Sequence, residues 1–262
     1  MKRLRDIPLW LFALLTLAAF NGVALAGLVC ARQLGRRLGL YGLVDNDTLG
    51  WIFSAVLVIY AIAIGLIAVA TWTNASAAAD VASQEASQVP VLYRSLMGYP
   101  QPLQNEIKTV LVRYLKSIIE DAWPAQQRGE VTEEGIEDLL ELGRRIIAFE
   151  PANDGQCVVY GEVMRGFNTL EAFRRRRVEA ASFAVPASLW CVVLVGAALS
   201  IFASYVFQIP SLLVHSLMTA LLASMIALLV FFIAATDHPY QGANSLEAVA
   251  YRIALRDLLE HE

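Results

Sequence analysis

A chain of 262 residues with 57% hydrophobic side chains and positive mean hydropathy lies outside the composition of an ordinary soluble domain. Its net charge of −4 suggests no nucleic-acid partner. Three widely spaced cysteines, Cys30, Cys157 and Cys191, read as small apolar residues rather than a disulfide set or a metal site.

The apolar residues gather in four runs, 9–28, 51–72, 185–207 and 211–236. Each reaches the roughly 20 residues that a helix needs to cross about 30 Å of hydrocarbon. None has Lys, Arg, Asp or Glu in its interior. Backbone groups in lipid must be satisfied within the segment, so the expectation is four membrane helices rather than strands. Lys2, Arg3 and Arg5 ahead of the first run, with Ala24-Leu25-Ala26 near its end, also fit a signal peptide. The run continues through Gly27-Leu28-Val29-Cys30, and losing it would leave an odd number of spans, so it is read as a retained span.

The second run has no clear stop. Helical spacing persists through Ala75, Ala78, Ala79, Ala82 and Ala86, and Pro90 is the first breaker, which predicts one helix from about 49 to 89. The alanine stripe permits close backbone approach. It serves either a stalk packed on its own insert or packing around an oligomer axis.

Residues 73–184 form an insert with twelve of the twenty Lys+Arg and sixteen of the twenty-four Asp+Glu. Its clearest helix is 101–123, where Ile107, Val110, Leu111, Tyr114, Leu115, Ile118, Ile119 and Ala122 mark one face. Pro102 suits its first turn and Pro124 ends it. The next helix opens at Thr132, with Glu133 and Glu134 at the positive end of the helix dipole, and Pro151 closes it. Ile136, Leu139, Leu140, Ile146 and Ile147 form its apolar face. Asn153-Asp154-Gly155 is a turn, and a helix from about 156 leads to Arg174, Arg175, Arg176 and Arg177 and then the third run. Only Gln208-Ile209-Pro210 separates the last two runs, which predicts a tight hairpin. A short amphipathic helix follows from about Ser245.

The expected fold is therefore an all-α membrane protein with four transmembrane helices in a 2+2 arrangement around a helical-bundle insert. Its divisions are 1–72, the first helix pair; 73–184, the insert; 185–236, the second hairpin; and 237–262, the C-terminal segment. Lys and Arg near span ends mark the cytoplasmic side. Lys2, Arg3 and Arg5, the juxtamembrane Arg174 to Arg177, and Arg252 with Arg256 place both termini and the insert there. Arg32, Arg36 and Arg37, expected in the first outer loop, dissent, and the four consecutive arginines decide.

Chemistry is sparse. His215, His238 and His261 lie too far apart to assemble a ligand trio, and no phosphate loop, HExxH, CxxC or GxSxG occurs. No cofactor and no metal is expected, and no enzymatic constellation is visible. Glu133, Glu134, Glu137, Asp138 and Glu141 fit a solvated helix face better than a cation site. Asp237-His238 fits a polar helix stop better than a proton relay. The spans hold only soft polar groups, against a proton-coupled carrier. A channel is compatible, because an apolar constriction gates by dewetting. Four such helices enclose no pore alone, so a channel requires an oligomer. Periodicity nominates the second helix as its lining, with Ile59, Ala63, Leu66 and Ala70 on one face.

Glu85, Leu92-Tyr93-Arg94, Pro100, Tyr114, Glu120-Asp121-Ala122-Trp123-Pro124 and Gly129 together resemble the bestrophin-like family of bacteria. So do Arg174 to Arg177, Pro186 with Trp190, and the ending Asp237-His238-Pro239-Tyr240-Gln241-Gly242. The resemblance spans nearly everything from Leu49 onward, and its specificity lies in the joint order of the motifs, with Trp123, Pro124, Asp237, Pro239 and Gly242 as its signature. The usual ending has Arg before the proline and Phe after it, where this chain has His238 and Tyr240. True bestrophins are pentameric anion channels with four membrane helices, cytoplasmic termini and a hydrophobic neck lined by the second helix. The resemblance implies a homo-oligomer, a pentamer, in the lipid bilayer of the bacterial inner membrane, with an inorganic ion as its cargo. Calcium gating is not implied, since Glu247, Asp257, Glu260 and Glu262 are scattered rather than clustered. No run of bulky aromatics in the second span matches the usual neck. The alternative is a membrane-anchored scaffold whose cytoplasmic helices bind a protein partner.

Overall fold

The computed structural model describes residues 8–38, 45–130, 134–241 and 246–260. Every regular element among them is helical: α1 (Leu9–Arg37), α2 (Asn46–Ser95), a 3₁₀ turn (Leu96–Gly98), α3 (Gln101–Ser117), a π-helical turn (Ile118–Ala122), α4 (Trp123–Gln127), α5 (Ile136–Ile147), α6 (Asp154–Ala181), α7 (Ala187–Tyr205), α8 (Leu212–Thr236) and α9 (Val249–Glu260). Four stretches are long and apolar enough to cross a membrane, namely α1, α2 with the turn after it, α7 and α8. The chain divides into two compact units, Met1–Thr73 with Ala184–Asp237 and Asn74–Phe183 with His238–Glu262.

The first unit is held by small side chains and by polar groups at helix ends. Ala24, Ala68, Ala197 and Ala223 are buried together with Ile64, Val193 and Ile226. Small residues let helix backbones approach, which is the main source of packing energy between helices in lipid. The Tyr60 ring of α2 lies over Gly196 of α7, and its hydroxyl donates to Val193 O at 2.9 Å. Tyr205 donates to Ala24 O at 2.7 Å, within the stretch that fits a cleavage site by composition alone. Arg32, Arg36 and Arg37 are not in a loop as expected, because α1 runs on to Arg37. Arg32 there donates to the carbonyls of Ile209 and Pro210. The turn before α8 has carbonyls without helical partners, and a guanidinium supplies the missing donors.

The second unit has one core, built from Val89, Leu92 and Leu96 of the α2 end, Leu111 and Leu115 of α3, Leu142 and Ile146 of α5, Leu170 of α6 and Leu258 of α9. Three expectations fail here. Pro90 does not stop α2, which continues to Ser95. Proline removes one hydrogen bond, but Val89 and Leu92 on either side are fully buried, and their packing carries the helix through. Pro124 does not stop the helical path either. Trp123 N–H bonds to Ile118 O, one residue further back than in an α-helix, so the path widens just ahead of the proline and continues to Gln127. The true stop is Gly129, at φ 80°. Gly129 N–H reaches Gln126 O and Glu130 N–H reaches Ala125 O, the paired bonds of a left-handed helix end. The apolar face of α5 is the third failure. Leu139, Leu142 and Ile146 are buried, whereas Leu140 and Ile147 are each 60% exposed.

Thr132 and Glu133, the expected helix start, lie outside the described residues, as does Ser245. Gly135, at φ 78°, precedes α5 instead. Asn153 caps α6 by accepting from Gln156 N–H at 2.9 Å, which moves that helix start to Asp154.

Gly196→Ala places a methyl group inside the Tyr60 ring. The expected outcome is a loss of about 1–3 kcal/mol, read as a lowered unfolding midpoint of the detergent-solubilised protein. Gly65→Ala, with open space around the new methyl, is the control and does not lower the midpoint, since a helix-interior alanine is at least as stable as glycine.

Candidate functional site

Two places concentrate the residues with functional potential, one in each unit. In the first, α2 buries Ile64, Ala68 and Thr71 and leaves Ile59, Ile62, Leu66 and Val69 exposed on its other side. Of the residues nominated by periodicity, Ile59, Leu66 and Ala70 are exposed and Ala63 is half-buried at the margin. Ile62 and Val69 share the exposed side, and sequence reasoning missed them because almost every face of this run is apolar. Such a surface coordinates nothing, but where it borders water it makes a barrier that ions cross only when it is wetted.

At the end of α8, Asp237 holds the start of α7. Its Oδ1 accepts from Val185 N–H at 2.6 Å and its Oδ2 from Trp190 Nε1–H at 3.2 Å. This aspartate is thus a clamp on an uncapped helix start. Beyond it, in the second unit, Pro239 O accepts from Leu246 N–H at 3.0 Å, and Trp123 Nε1–H donates to Leu246 O at 2.9 Å. Trp123 meets Tyr240 edge-on at 5.3 Å and Tyr251 at 5.4 Å. Trp123 and Pro239 therefore belong to a packing motif with Tyr240, Leu246 and Tyr251, while Gly242 lies outside the described residues.

The second place is a fully buried polar node. Glu85, in the alanine stripe of α2, accepts from Tyr114 Oη–H at 2.6 Å and from Arg177 Nε–H at 2.7 Å. Arg177 and Glu85 are 1% and 0% exposed at their side chains. The Arg177 guanidinium also lies 6.0 Å from the Tyr251 ring centre. Burial works against the Arg177 charge, but the adjacent Glu85 carboxylate outweighs it and raises the guanidinium above its ordinary value. Burial, reinforced by Glu85, pushes the Tyr114 hydroxyl well up, so it stays a donor. The pair joins α2 to α6, Tyr114 adds α3, and Tyr251 adds α9.

Around this node Ala78, Ala82 and Ala86 are buried in the chain's own core, and Ala75 and Ala79 are half-buried. The four arginines are all in α6; Arg175 and Arg176 are exposed, Arg174 is half-buried, and Arg177 turns inward. The signal available in the sequence was the position of Glu85, three residues after Ala82 and so on the alanine-stripe side, unlike Asp80.

The acidic face of α5 is neutralised at two of its carboxylates, Asp138 and Glu141. Arg113 pairs with Asp138 and Glu141, and Arg145 pairs with Glu141 and Glu106. Among the described residues no cluster could hold a metal ion.

These features define an all-helical membrane protein with four span-length apolar helices. The chain belongs to the bestrophin-like family, whose domain model matches residues 13–251. Its fold is similar to that of a bacterial bestrophin homologue from Klebsiella pneumoniae, at 17% identity and a TM-score of 0.69 over 95% of this chain and 97% of that one. A single-residue variant of the Klebsiella homologue superposes with a TM-score of 0.68 at 16% identity, covering 95% and 97%. A variant described only as a membrane protein gives 0.68 at 16% identity, covering 96% and 97%. No curated protein matches the chain.

Glu85→Gln or Arg177→Met alone leaves an uncompensated buried partner and is expected to cost about 3–5 kcal/mol. The double variant recovers most of that loss, as a double-mutant cycle of denaturation midpoints in detergent would read. A second expectation concerns acid. Arg145 and then Arg113 hold the Glu141 carboxyl below the usual carboxylate range. A depressed carboxyl contributes stability above its unfolded value and loses it as pH falls through the folded one. Glu141→Gln should therefore flatten the acid limb of a stability-versus-pH curve while leaving the neutral and alkaline limbs parallel to the parent.

Proposed function

We propose that this protein is an oligomeric ion channel of the bacterial inner membrane, with α2 lining a hydrophobic pore. The observation that carries the reading is the α2 face: the charge-free, membrane-length stretch 51–72 of this helix leaves Ile59, Ile62, Leu66 and Val69 unpacked in a single chain. Membership of the bestrophin-like family supports conduction of an inorganic anion and a pentameric ring. In this reading α1 with α2 and α7 with α8 form a 2+2 arrangement. The residues between them are cytoplasmic, and so are both termini. The alanine stripe serves the chain's own core at Ala78, Ala82 and Ala86, so subunit contacts fall to other surfaces. A scaffold role is less favoured, because Arg113 and Arg145 already occupy Asp138 and Glu141 on the acidic face that motivated it.

The purified protein in liposomes is expected to pass ionic current, altered in size or rectification by Leu66→Ala or Ile59→Ala. A monomer that leaves vesicles leak-tight sinks the proposal. Topology is tested with Cys157, exposed in α6. In a Cys30→Ser/Cys191→Ser background it should resist an impermeant maleimide in cells with an intact inner membrane and react once that membrane is opened. Labelling of intact cells places this segment on the other side.

A further inference from the structure

The hairpin of α7 and α8 contains a polar seam that neither the family resemblance nor the channel reading uses. Ser200 and Ser204 stand one turn apart on α7, and His215 and Thr219 stand one turn apart on α8. The bond between His215 Nε2 and Ser204 O, at 3.0 Å, sets the register of the antiparallel pair. Counted one turn along each antiparallel helix from that bond, Ser200 and Thr219 fall at the same level. All four are buried: Ser200 is 0%, Thr219 1%, His215 2% and Ser204 8% exposed.

Their hydrogen bonds do not close among themselves. Ser204 Oγ–H donates to Ile201 O at 2.6 Å and is satisfied. Among the described residues no protein atom partners Ser200 Oγ, Thr219 Oγ1 or His215 Nδ1. A carbonyl oxygen only accepts, so His215 Nε2 carries the proton that bonds Ser204 O. In the uncharged tautomer with that proton, Nδ1 presents a bare lone pair. The seam in that form offers one strong acceptor and two hydroxyls that both donate and accept. Polar groups at this depth in an apolar helix pair find partners inside the protein or in ordered water.

We infer that the α7–α8 seam binds a single water molecule, which donates a hydrogen bond to His215 Nδ1 and exchanges hydrogen bonds with the Ser200 and Thr219 hydroxyls. Three partners are the usual complement of a buried water. A divalent cation does not fit, because one imidazole and two neutral hydroxyls supply too few strong ligands. Bound there, the water completes a polar step in a hairpin otherwise packed by Ala197, Val193, Ala223 and Ile226. It favours the register that pairs Ser204 with His215, since sliding either helix by one residue turns a hydroxyl toward apolar neighbours.

The test is solid-state nitrogen NMR on histidine-labelled full-length protein in lipid vesicles. The expected result is a His215 ring protonated at Nε2 and unprotonated at Nδ1, with magnetisation passing from exchangeable water protons to Nδ1. In Ser200→Ala/Thr219→Val that transfer is lost while the tautomer, held by Ser204 O, is kept. A ring protonated at Nδ1, no water transfer in the parent protein, or transfer unchanged in the double variant each overturns the inference. A shift of the His215 signals on adding zinc, reversed by chelation, also overturns it in favour of a metal.

Discussion

A carboxylate sealed inside a helical core must be compensated, and the pairing of Glu85 with Arg177 is the interaction on which the second unit is arranged. Two charges out of water repay their desolvation only with close geometry and filled lone pairs. Glu85 meets that condition through Arg177 on one oxygen and Tyr114 on the other. The requirement fixes which faces of α2, α3 and α6 meet, and the Tyr251 ring against the guanidinium draws α9 to the same point. The ion pair accepts one register.

The first unit is organised by the opposite condition. With no charged side chain inside any of the long apolar runs, specificity comes from small residues that admit close contact and from polar groups near the helix ends. Gly196 under Tyr60 is the first device; Arg32 on the turn carbonyls and Asp237 on the start of α7 are the second. Polar contacts also lie inside the spans: Asn21 of α1 donates to Ser224 Oγ of α8 at 2.9 Å, and the Ser200, Ser204, His215 and Thr219 seam adds a polar step to the hairpin. The exposed side of α2 has none of these devices. It is free of charge and unpacked within one chain, as are the outer sides of the apolar runs in α1, α7 and α8.

Much of this was legible residue by residue. The four runs and the apolar face of α3 follow from length and period, because burial in either lipid or a core selects the same side chains. The two prolines were misread for a common reason. A missing N–H weakens a helix locally, but buried neighbours at Val89 and Leu92 outweighed it at Pro90, and a widened turn absorbed it at Pro124. The α5 face was half misread, since a three- and four-residue pattern does not say how much of a stripe a neighbour covers. The arginine run looked uniform in sequence, yet helix geometry sends only Arg177 inward.

The sequence by itself determined the class: membrane-length apolar helices, a charged helical insert and the family to which the chain belongs. The helices are legible in composition and short-range period, and the family in the order of short motifs along the chain, neither of which needs the fold. Only the tertiary structure decided the partners, namely Arg177 for Glu85, Asp237 for the start of α7, Arg32 for the turn before α8, and Ser204 for His215. Each joins residues distant in sequence or on different helices, and such choices rest on the register of packed helices, which no local pattern encodes.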